Sequence, residues 1–250
     1  MAFARVATAG AVMSRENLAK FYAPLEGFLK KAASDLWWTL DGFIEKTGDA
    51  DVKRIYASCR KSERVKTESS VFRKCRRDSI AVPEAVLDRM EDLIGMRIVA
   101  PNKKDAEFLF DFLRRARDSW FCEAAEEPKF TPYTLAEKNG HSIRTGYQAF
   151  HVTFVYERSY RPGTEVDRWP VEIQITSLLW EFFADYSRKY FYSASGEMVD
   201  KLKPYTVAVA RALDVAEDLV VTTINLLSGD SGKTEEDKKT EPEEKGPEVV

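Results

Sequence analysis

The sequence predicts an α/β or α+β fold in which helices flank one mixed β-sheet. Segments whose apolar residues recur every three or four positions, as in amphipathic helices, alternate along the chain with short strand-like apolar segments. The length of 250 residues suits one sizeable domain with additional helices. We therefore expect a single sheet at the centre of the chain.

The elements follow from this periodicity. The N-terminal region is predicted to be helical, because apolar residues recur at helical spacing from Leu18 to Ile44. Strands are predicted over residues 54–65, 93–100, 147–156 and 170–175. The second of these is apolar on both faces, as expected inside a covered sheet. Further helices are predicted over residues 70–77, 83–90, 103–118, 178–190 and 204–227.

Charge is distributed unevenly. The chain has a formal net charge of −3, but residues 230–250 contain eight acidic residues and four lysines, so the remainder is slightly positive. This tail, rich in Glu, Lys, Pro and Gly, is predicted to be disordered. The positive charge is concentrated in residues 60–77, which hold eight basic residues against Glu63 and Glu68.

Composition excludes several classes of protein. Three cysteines without CxxC spacing indicate reduced thiols and a cytoplasmic location rather than a disulfide framework. Two histidines make a His-rich zinc site implausible. No apolar run approaches the roughly 18 residues that a membrane span needs, so no membrane partner is expected.

The basic segment has the features of a polyanion site. Arg64 and Lys66 are two residues apart, so on an extended strand they point to the same side. Ser69 and Ser70 offer N-cap hydroxyls for the helix that follows, and Lys74 lies one turn after Ser70. A helix N-terminus next to cations attracts phosphates. The alternative is a solvated basic surface.

Two later strands carry polar side chains that a simple core strand does not need. Glu172 and Gln174 alternate with apolar residues, and Tyr147 and His151 lie opposite a predicted core face. Asp92 stands directly before the buried strand, where a carboxylate needs a partner or a metal. Each residue by itself has an ordinary structural explanation. Together they suit Mg²⁺-dependent phosphoryl chemistry.

The chain resembles a known family, the RelA/SpoT-type alarmone synthetases. The resemblance covers roughly residues 52–192, implies a nucleotidyltransferase-like fold, and extends to the flanking helices of small stand-alone members. It rests on four ordered motifs: Arg64-x-Lys66 with Ser70 and Lys74; Asp92-x-x-Gly95-x-Arg97; Gly146-Tyr147-Gln148-x-x-His151; and Glu172-Ile173-Gln174.

The resemblance implies an activity: transfer of the β,γ-pyrophosphate of ATP to the ribose 3′-hydroxyl of GDP or GTP, giving ppGpp or pppGpp. It further implies that ATP is bound by Arg64, Lys66, Ser70, Lys74 and Arg97.

The same resemblance implies roles for the remaining residues. Asp92 would bind Mg²⁺, and Glu172 would be a second metal ligand or the base for the 3′-hydroxyl. Tyr147 would stack on the acceptor base, and His151 and Gln174 would position the acceptor.

The acceptor half of the pattern departs from the family. The Lys-Pro-Asn usual before the Gly-Tyr motif is Ile-Arg-Thr, so Arg144 would replace the lysine that meets acceptor phosphate. Thr176 stands where the family usually has an arginine after the last motif, and Ser187-Arg188 replaces a Glu-His pair of the family. With these changes the chain resembles toxic members of the family, which use adenine nucleotides or the 3′ end of tRNA as the acceptor. A catalytically inactive nucleotide-binding regulator is the remaining alternative.

The predicted organisation is a helical region (1–51), the synthetase domain (52–192), a C-terminal helical extension (193–228) and an acidic tail (229–250). In the C-terminal helix, apolar residues at alternating three- and four-residue steps predict a narrow stripe. This stripe would pack on the chain's own domain, bind a second copy of the chain, or bind an antitoxin protein. Its members are Tyr205, Val209, Leu213, Ala216, Val220, Ile224 and Leu227.

Overall fold

The structure is a computed structural model that describes residues 13–120, 123–124, 129–131, 135–138, 141–144, 148–157, 168–191 and 197–227. Its helices are α1 (Arg15–Lys46), α2 (Ala50–Ser58), α3 (Glu68–Arg77), α4 (Ala85–Arg89), α5 (Lys103–Trp120), α6 (Leu178–Tyr186) and α7 (Glu197–Leu227), and a π-helical segment (Ser187–Phe191) continues α6. Its strands are β1 (Arg60–Val65), β2 (Ile94–Ala100), β3 (Glu123–Ala124), β4 (Lys129–Thr131), β5 (Leu135–Lys138), β6 (His141–Arg144), β7 (Ala149–Glu157) and β8 (Arg168–Ser177). The tail and Tyr147 lie outside the described residues.

One mixed sheet organises the fold, as predicted. Its strands run in the order β1-β2-β8-β7, and β3 and β4 both pair with the outer side of β7. Strands β2 and β8 are parallel, whereas β1 pairs with β2, and β7 with β8, in antiparallel fashion. Strands β5 and β6 form a separate antiparallel pair. The α+β class predicted from the sequence is confirmed.

Only one face of the sheet belongs to the main core. Helix α1 contributes nine buried residues to this core, and its N-terminus is capped by the hydroxyl of Ser14, which accepts a hydrogen bond from the backbone N–H of Asn17. Since side chains alternate along each strand, every second residue is left on the opposite face. The core-facing residues of the central strands include Ile94, Met96, Ile98, Val171, Ile173, Ile175, Val152 and Phe154.

The predicted strand over residues 54–65 is wrong in its first half. Residues 50–58 form helix α2, and only Arg60–Val65 are extended. The carboxylate of Asp49 caps the helix by accepting hydrogen bonds from the N–H groups of Asp51 and Val52, at 3.0 and 3.1 Å. The apolar residues Val52, Ile55 and Tyr56 also have helical spacing, and all three are buried. Helix α2 also spans residue 52, the predicted first residue of the synthetase domain. The division of the chain into four parts stays a prediction.

The predicted capping of the next helix also differs from the structure. Helix α3 begins at Glu68, so Thr67 holds the N-cap position, and no side chain caps the helix there. Ser69 and Ser70 lie in the first turn, where the Ser70 hydroxyl accepts a hydrogen bond from Thr67 at 3.0 Å. Lys66 follows the end of β1, and its backbone N–H donates to the carbonyl of Leu93.

Helix α7 packs on the domain through a buried carboxylate. Glu217 is 1% exposed. It accepts hydrogen bonds from the hydroxyl of Ser177, the N-cap of α6, and from the backbone N–H of Lys103, the first residue of α5, at 3.1 Å. One side chain therefore joins α7 to the N-termini of two other helices, where a negative charge is favourable.

Replacing Glu217 with alanine is expected to lower the free energy of unfolding by about 1–3 kcal/mol, because two buried donors lose their acceptor. Burial raises the pKa of Glu217 although its two donors oppose the rise. Stability from this group is therefore greatest below the unfolded-state pKa and declines as pH rises towards the folded-state pKa. The Glu217→Gln variant should lose less stability than the alanine variant. Its stability should also no longer decline as pH rises over this range.

Urea denaturation below and above the usual glutamate pKa of about 4.3 would measure both effects. Glu16→Gln, on the exposed side of α1, is the matched control. Equal stability losses for the alanine and glutamine variants would contradict this account of Glu217.

The stripe predicted on α7 is divided in the structure. Val209, Leu213, Ala216 and Ile224 are half-buried, whereas Tyr205, Val220 and Leu227 are exposed. Most of the stripe thus lies towards the domain, which is the first of the three predicted interpretations.

Among the described residues, no helix is long and apolar enough to cross a membrane.

Candidate active site

The register of the sheet gathers the predicted polar residues on the face opposite the core. Arg64, Gly95 and Glu172 pair directly across three neighbouring strands. One step along the strands, Arg97 pairs with Gln174, and Gln174 pairs with His151 on β7. Because residues two apart on a strand share a face, these two rows form one continuous polar surface.

Gly95 gives Arg64 room to lie across the sheet. A Cβ atom added at Gly95 would come within 3.3 Å of both the Cγ and the Nε atoms of Arg64. A side chain at this position would therefore require the Arg64 side chain to shift by a few tenths of an ångström. The glycine thus serves close approach between the arginine and the backbone of β2.

Glu172 is held by two hydrogen-bonding side chains. Its Oε1 atom lies 2.8 Å from Nδ1 of His151, and its Oε2 atom accepts a hydrogen bond of 2.6 Å from Nε2 of Gln174. Since an ionised carboxylate only accepts, Nδ1 of His151 carries the proton in this pair.

The pKa of Glu172 follows from these contacts. Burial raises the pKa, but the hydrogen bonds from His151 and Gln174 and the attraction of His151 outweigh burial and hold it below its usual value. The negative charge of Asp92 acts in the opposite direction, so the two carboxylates are close enough to repel each other. Glu172 is therefore ionised at neutral pH.

Asp92 sits between two lysines at the start of β2. Lys74 donates to Oδ1 at 2.7 Å, and Lys66 donates to Oδ2. Burial raises the pKa of Asp92, but the hydrogen bonds and charges of both lysines hold it below its usual value. The hydroxyl of Tyr22 on α1 donates to the carbonyl of Lys66, which fixes the backbone at this point.

Arg97 is positioned by one predicted site residue and by one residue that the sequence did not single out. Its Nη2 atom donates to Oε1 of Gln174 at 3.0 Å, and its Nη1 atom lies 3.8 Å from Oε1 of Glu181 on α6. Arg60 on β1 forms an ion pair with the same Glu181. The signal in the sequence was weak, because Arg60 and Glu181 are 121 residues apart and neither belongs to a motif.

A cleft opens at this end of the polar face. Its lining includes Arg64, Arg97, Gln174 and Arg188. In the sequence, Arg188 was notable only as a departure from the family pattern. Arg188 is 57% exposed and lies 3.6 Å from Asp185. Three arginines and one glutamate, Glu63, therefore line the cleft, and this net positive charge suits an anionic ligand.

The described side chains that could bind a metal ion fit one kind of metal site only. Within the described ranges, no group of three or more His, Cys, Asp or Glu side chains is gathered to hold a metal alone. Mg²⁺ is commonly held by one or two carboxylates together with substrate phosphates. Asp92 and Glu172 fit that arrangement, and each carboxylate oxygen has a second lone pair beside its present hydrogen bond.

Three predicted site residues are not brought into this cluster by any described contact. The Ser70 hydroxyl bonds to Thr67 and to Arg73 in its own helix turn, at 3.0 and 3.3 Å. Arg144 is on β6, opposite Leu135, and its side chain lies outside the described residues. Tyr147 also lies outside them.

The fold and the site define the class of this protein: a mixed-sheet protein whose polar face, with its cations and the carboxylates of Asp92 and Glu172, suits a nucleotide polyphosphate. A family model described as "Region found in RelA / SpoT proteins" matches residues 63–197. The chain belongs to the RelA/SpoT family, which confirms the resemblance seen in its motifs.

Individual relatives agree with this assignment. The GTP pyrophosphokinase YjbM of Bacillus subtilis (strain 168) is 27% identical over 156 residues, which are 62% of this chain and 65% of that protein. The match thus spans slightly less than two thirds of the relative.

Solved structures share the fold. Small alarmone synthetase 1 from Bacillus subtilis matches with a TM-score of 0.59 and 20% identity, covering 84% of this chain and 99% of that one. A structure of the same synthetase bound to its product pppGpp matches with a TM-score of 0.58 and 20% identity, covering 85% and 99%. At this identity the likeness shows a common fold.

Proposed function

We propose that the protein is an ATP-dependent pyrophosphokinase that transfers the β,γ-pyrophosphate of ATP to the 3′-hydroxyl of GDP or GTP, making ppGpp or pppGpp. The observation that carries the proposal is Glu172, an ionised and largely buried carboxylate on the polar face of the sheet, beside a cluster of cations. Family membership and the pppGpp bound to a relative of the same fold support it.

The chemical step needs a base and a charged cradle. The 3′-hydroxyl oxygen of the acceptor attacks the β-phosphorus of ATP, the bond from that phosphorus to the α–β bridging oxygen breaks, and AMP leaves. The proton of the hydroxyl goes to Glu172, which His151 and Gln174 hold in a fixed orientation. Catalysis of this kind depends mainly on positioning and on electrostatic stabilisation.

The donor phosphates would be bound by the cations around Asp92 and Gly95. Arg64 and Arg97 line the cleft, and Lys66 and Lys74 already meet at one carboxylate. Ser70, at the start of α3, is proposed to add a hydroxyl contact to the same ligand. Together these residues would offset much of the negative charge of ATP.

Mg²⁺ is proposed as the cofactor, with Asp92 as its ligand and Glu172 as a second ligand if Glu172 is not the base. When bound, the ion would neutralise part of the charge of the ATP phosphates. Lys66 and Lys74 keep Asp92 ionised in either case, because they hold its pKa down.

The acceptor is proposed to lie near His151, Gln174 and Arg144, with its base stacked on Tyr147. Tyr147→Ala should weaken acceptor binding by about 1–3 kcal/mol, because a stacking surface is lost, whereas Tyr147→Phe should have a mild effect. Michaelis constants for acceptor and for ATP, measured on both variants, check this. Equal losses of affinity for donor and acceptor would instead indicate a structural tyrosine.

A toxic enzyme with the same chemistry is the second candidate, with the 3′ end of tRNA or an adenine nucleotide as acceptor. The exposed cations beside the cleft favour it: Arg60 and Arg188 are 65% and 57% exposed and would suit an RNA phosphate backbone. In this version an antitoxin protein is the expected partner.

Transfer from γ-labelled ATP separates the candidates. The assay offers GDP, GTP, ATP and bulk tRNA in turn, with Mg²⁺ present and with the metal chelated. Label on GDP or GTP is the expected result, and label on tRNA or ATP alone would favour the second candidate. No transfer to any acceptor by the folded protein would overturn both and leave an inactive regulator.

The nucleotide substrates and the unpaired thiols of Cys59 and Cys75 support a cytoplasmic location. Helix α7 is proposed as the element through which the protein contacts a second protein chain.

A further inference from the structure

Glu181, in the first turn of α6, lies over the polar face of the sheet between two arginines. Its Oε1 atom is 3.8 Å from Nη1 of Arg97 on β2, and its Oε2 atom pairs with Nη2 of Arg60 on β1. The side chains of Glu181 and Arg97 are only 18% and 20% exposed. Charges that are shielded from water to this degree are screened less by salt than exposed charges are.

The register of the sheet brings the two arginines onto the same side. Arg60 is directly opposite Val99, and Arg97 lies two residues before Val99 on the same strand. Since residues two apart on a strand share a face, both arginine side chains project from the polar face, one step apart. Two cations at this spacing repel each other, and a carboxylate between them offsets that repulsion. Glu181 supplies the carboxylate from a helix N-terminus, which also favours negative charge.

Arg97 connects this carboxylate to the active site. Its Nη2 atom donates to Oε1 of Gln174 at 3.0 Å, while its Nη1 atom faces Glu181. Each terminal nitrogen of an arginine carries a second N–H, so donors remain for a ligand in the cleft that Arg97 lines. With a partner at both terminal nitrogens, the guanidinium plane of Arg97 is held in one orientation.

The contact with Arg97 determines which end of the Gln174 amide faces Glu172. Arginine only donates hydrogen bonds and an ionised carboxylate only accepts them, so Gln174 satisfies both neighbours in one orientation. Its oxygen accepts from Arg97, and its Nε2 atom donates to Oε2 of Glu172 at 2.6 Å. If Arg97 turned away, the amide would be free to flip, and its oxygen would then repel the Glu172 carboxylate.

We propose that Glu181 is a positioning residue for pyrophosphate transfer: through Arg97 it sets the geometry of donor binding, and through Gln174 it sets the orientation of Glu172. The inference rests on the proposed function, in which Arg97 binds ATP and Glu172 takes the proton. The contacts form one directional series from Glu181 to Glu172, in which each contact determines the next. Loss of the charge at Glu181 should therefore lower both the affinity for ATP and the rate of transfer.

The two glutamines of the chain, Gln148 and Gln174, allow a test that needs no substrate. Cell-free synthesis with glutamine labelled by ¹⁵N in its side chain gives NH₂ signals from these two residues. Glu181→Met removes the charge at similar length without adding an amide, and it should shift the Gln174 signals towards those of a solvent-exposed glutamine. The Gln148 amide, which donates to Asp214 at 2.9 Å, should keep its signals. Glu16→Met, on the exposed side of α1, is the matched control and should move neither pair.

A double-mutant cycle on transfer from labelled ATP tests the same link in the reaction. Glu181→Met should lower kcat/KM for ATP about tenfold, the size expected when a partly buried charged group loses a partner. In an Arg97→Met background the same change should have no further effect, because Glu181 acts through Arg97. Thermal unfolding shows whether each variant is folded. Should Glu181→Met fail to fold, Glu181→Asp, which withdraws the charge by one methylene, should show the same shift and loss to a smaller extent.

Unshifted Gln174 signals in a folded Glu181→Met protein would overturn the inference, and so would losses that add in the double variant. Absence of transfer by the unmutated chain, with the Gln174 signals shifted as expected in the variant, would count against the proposed function and in favour of the link from Glu181 to Gln174.

Discussion

Replacing Glu172 with glutamine is expected to lower the rate of pyrophosphate transfer by about two or more orders of magnitude while the fold is kept. Glutamine preserves the size of the side chain and one acceptor oxygen, but it cannot take a proton or carry the negative charge of the glutamate. Hydrogen bonds with His151 and Gln174 fix the position of the Glu172 carboxylate. Single-turnover transfer from labelled ATP measures the loss.

The matched control is Glu16→Gln, which makes the same chemical change at an exposed position on α1. A thermal unfolding curve distinguishes loss of chemistry from loss of fold. Unchanged turnover in a folded Glu172→Gln protein would show that Glu172 is neither the base nor an essential metal ligand.

Replacing Asp92 with asparagine is expected to cost a similar factor in activity and also to lower the melting temperature. The carboxylate accepts a hydrogen bond from a lysine on each of its oxygens, Lys74 on Oδ1 and Lys66 on Oδ2. Asparagine offers one oxygen, and its amide N–H₂ would face the second lysine donor to donor. The variant therefore loses both a proposed metal ligand and the group that neutralises two partly buried cations.

Dependence on Mg²⁺ separates these two losses. If Asp92 binds the ion, the variant should need a higher Mg²⁺ concentration for its residual activity at a temperature where it is fully folded. Asp78→Asn, which removes a carboxylate paired with Arg77 just after α3, is the control. The same Mg²⁺ dependence in the Asp92 variant and the unmutated chain would leave Asp92 with a structural role only.

The sequence predicted the alternation of helices and strands well, and its main error has an identifiable cause. Residues 54–65 were predicted to form one strand, but helix α2 extends to Ser58. The cap at Asp49 and the helical spacing of Val52, Ile55 and Tyr56 favour a helix for the first half. Both signals are local, so the sequence by itself contains the information for this helix.

For the site, motifs in the sequence identified the residue types, and the register of the sheet determined which of them meet. Gln174 links Arg97 to Glu172 only because β2 and β8 pair with Arg97 opposite Gln174. Glu181 is absent from the predicted site because nothing near it in sequence marks it as the partner of Arg60 and Arg97. Contacts between residues this far apart depend on packing that periodicity does not encode.

Helix α7 illustrates how the two sources of information differ. The sequence by itself determined the family motifs, the basic segment, the class of fold and the helical nature of residues 204–227, because each depends on local residue order. It also predicted one apolar stripe on that helix. Only the tertiary structure decided which side of the helix packs on the domain, since periodicity tells which residues share a face but not which face has a neighbour. Glu217 decides it physically: its buried contacts with Ser177 and Lys103 turn one side of α7 inward, while Tyr205, Val215 and Leu219 remain exposed.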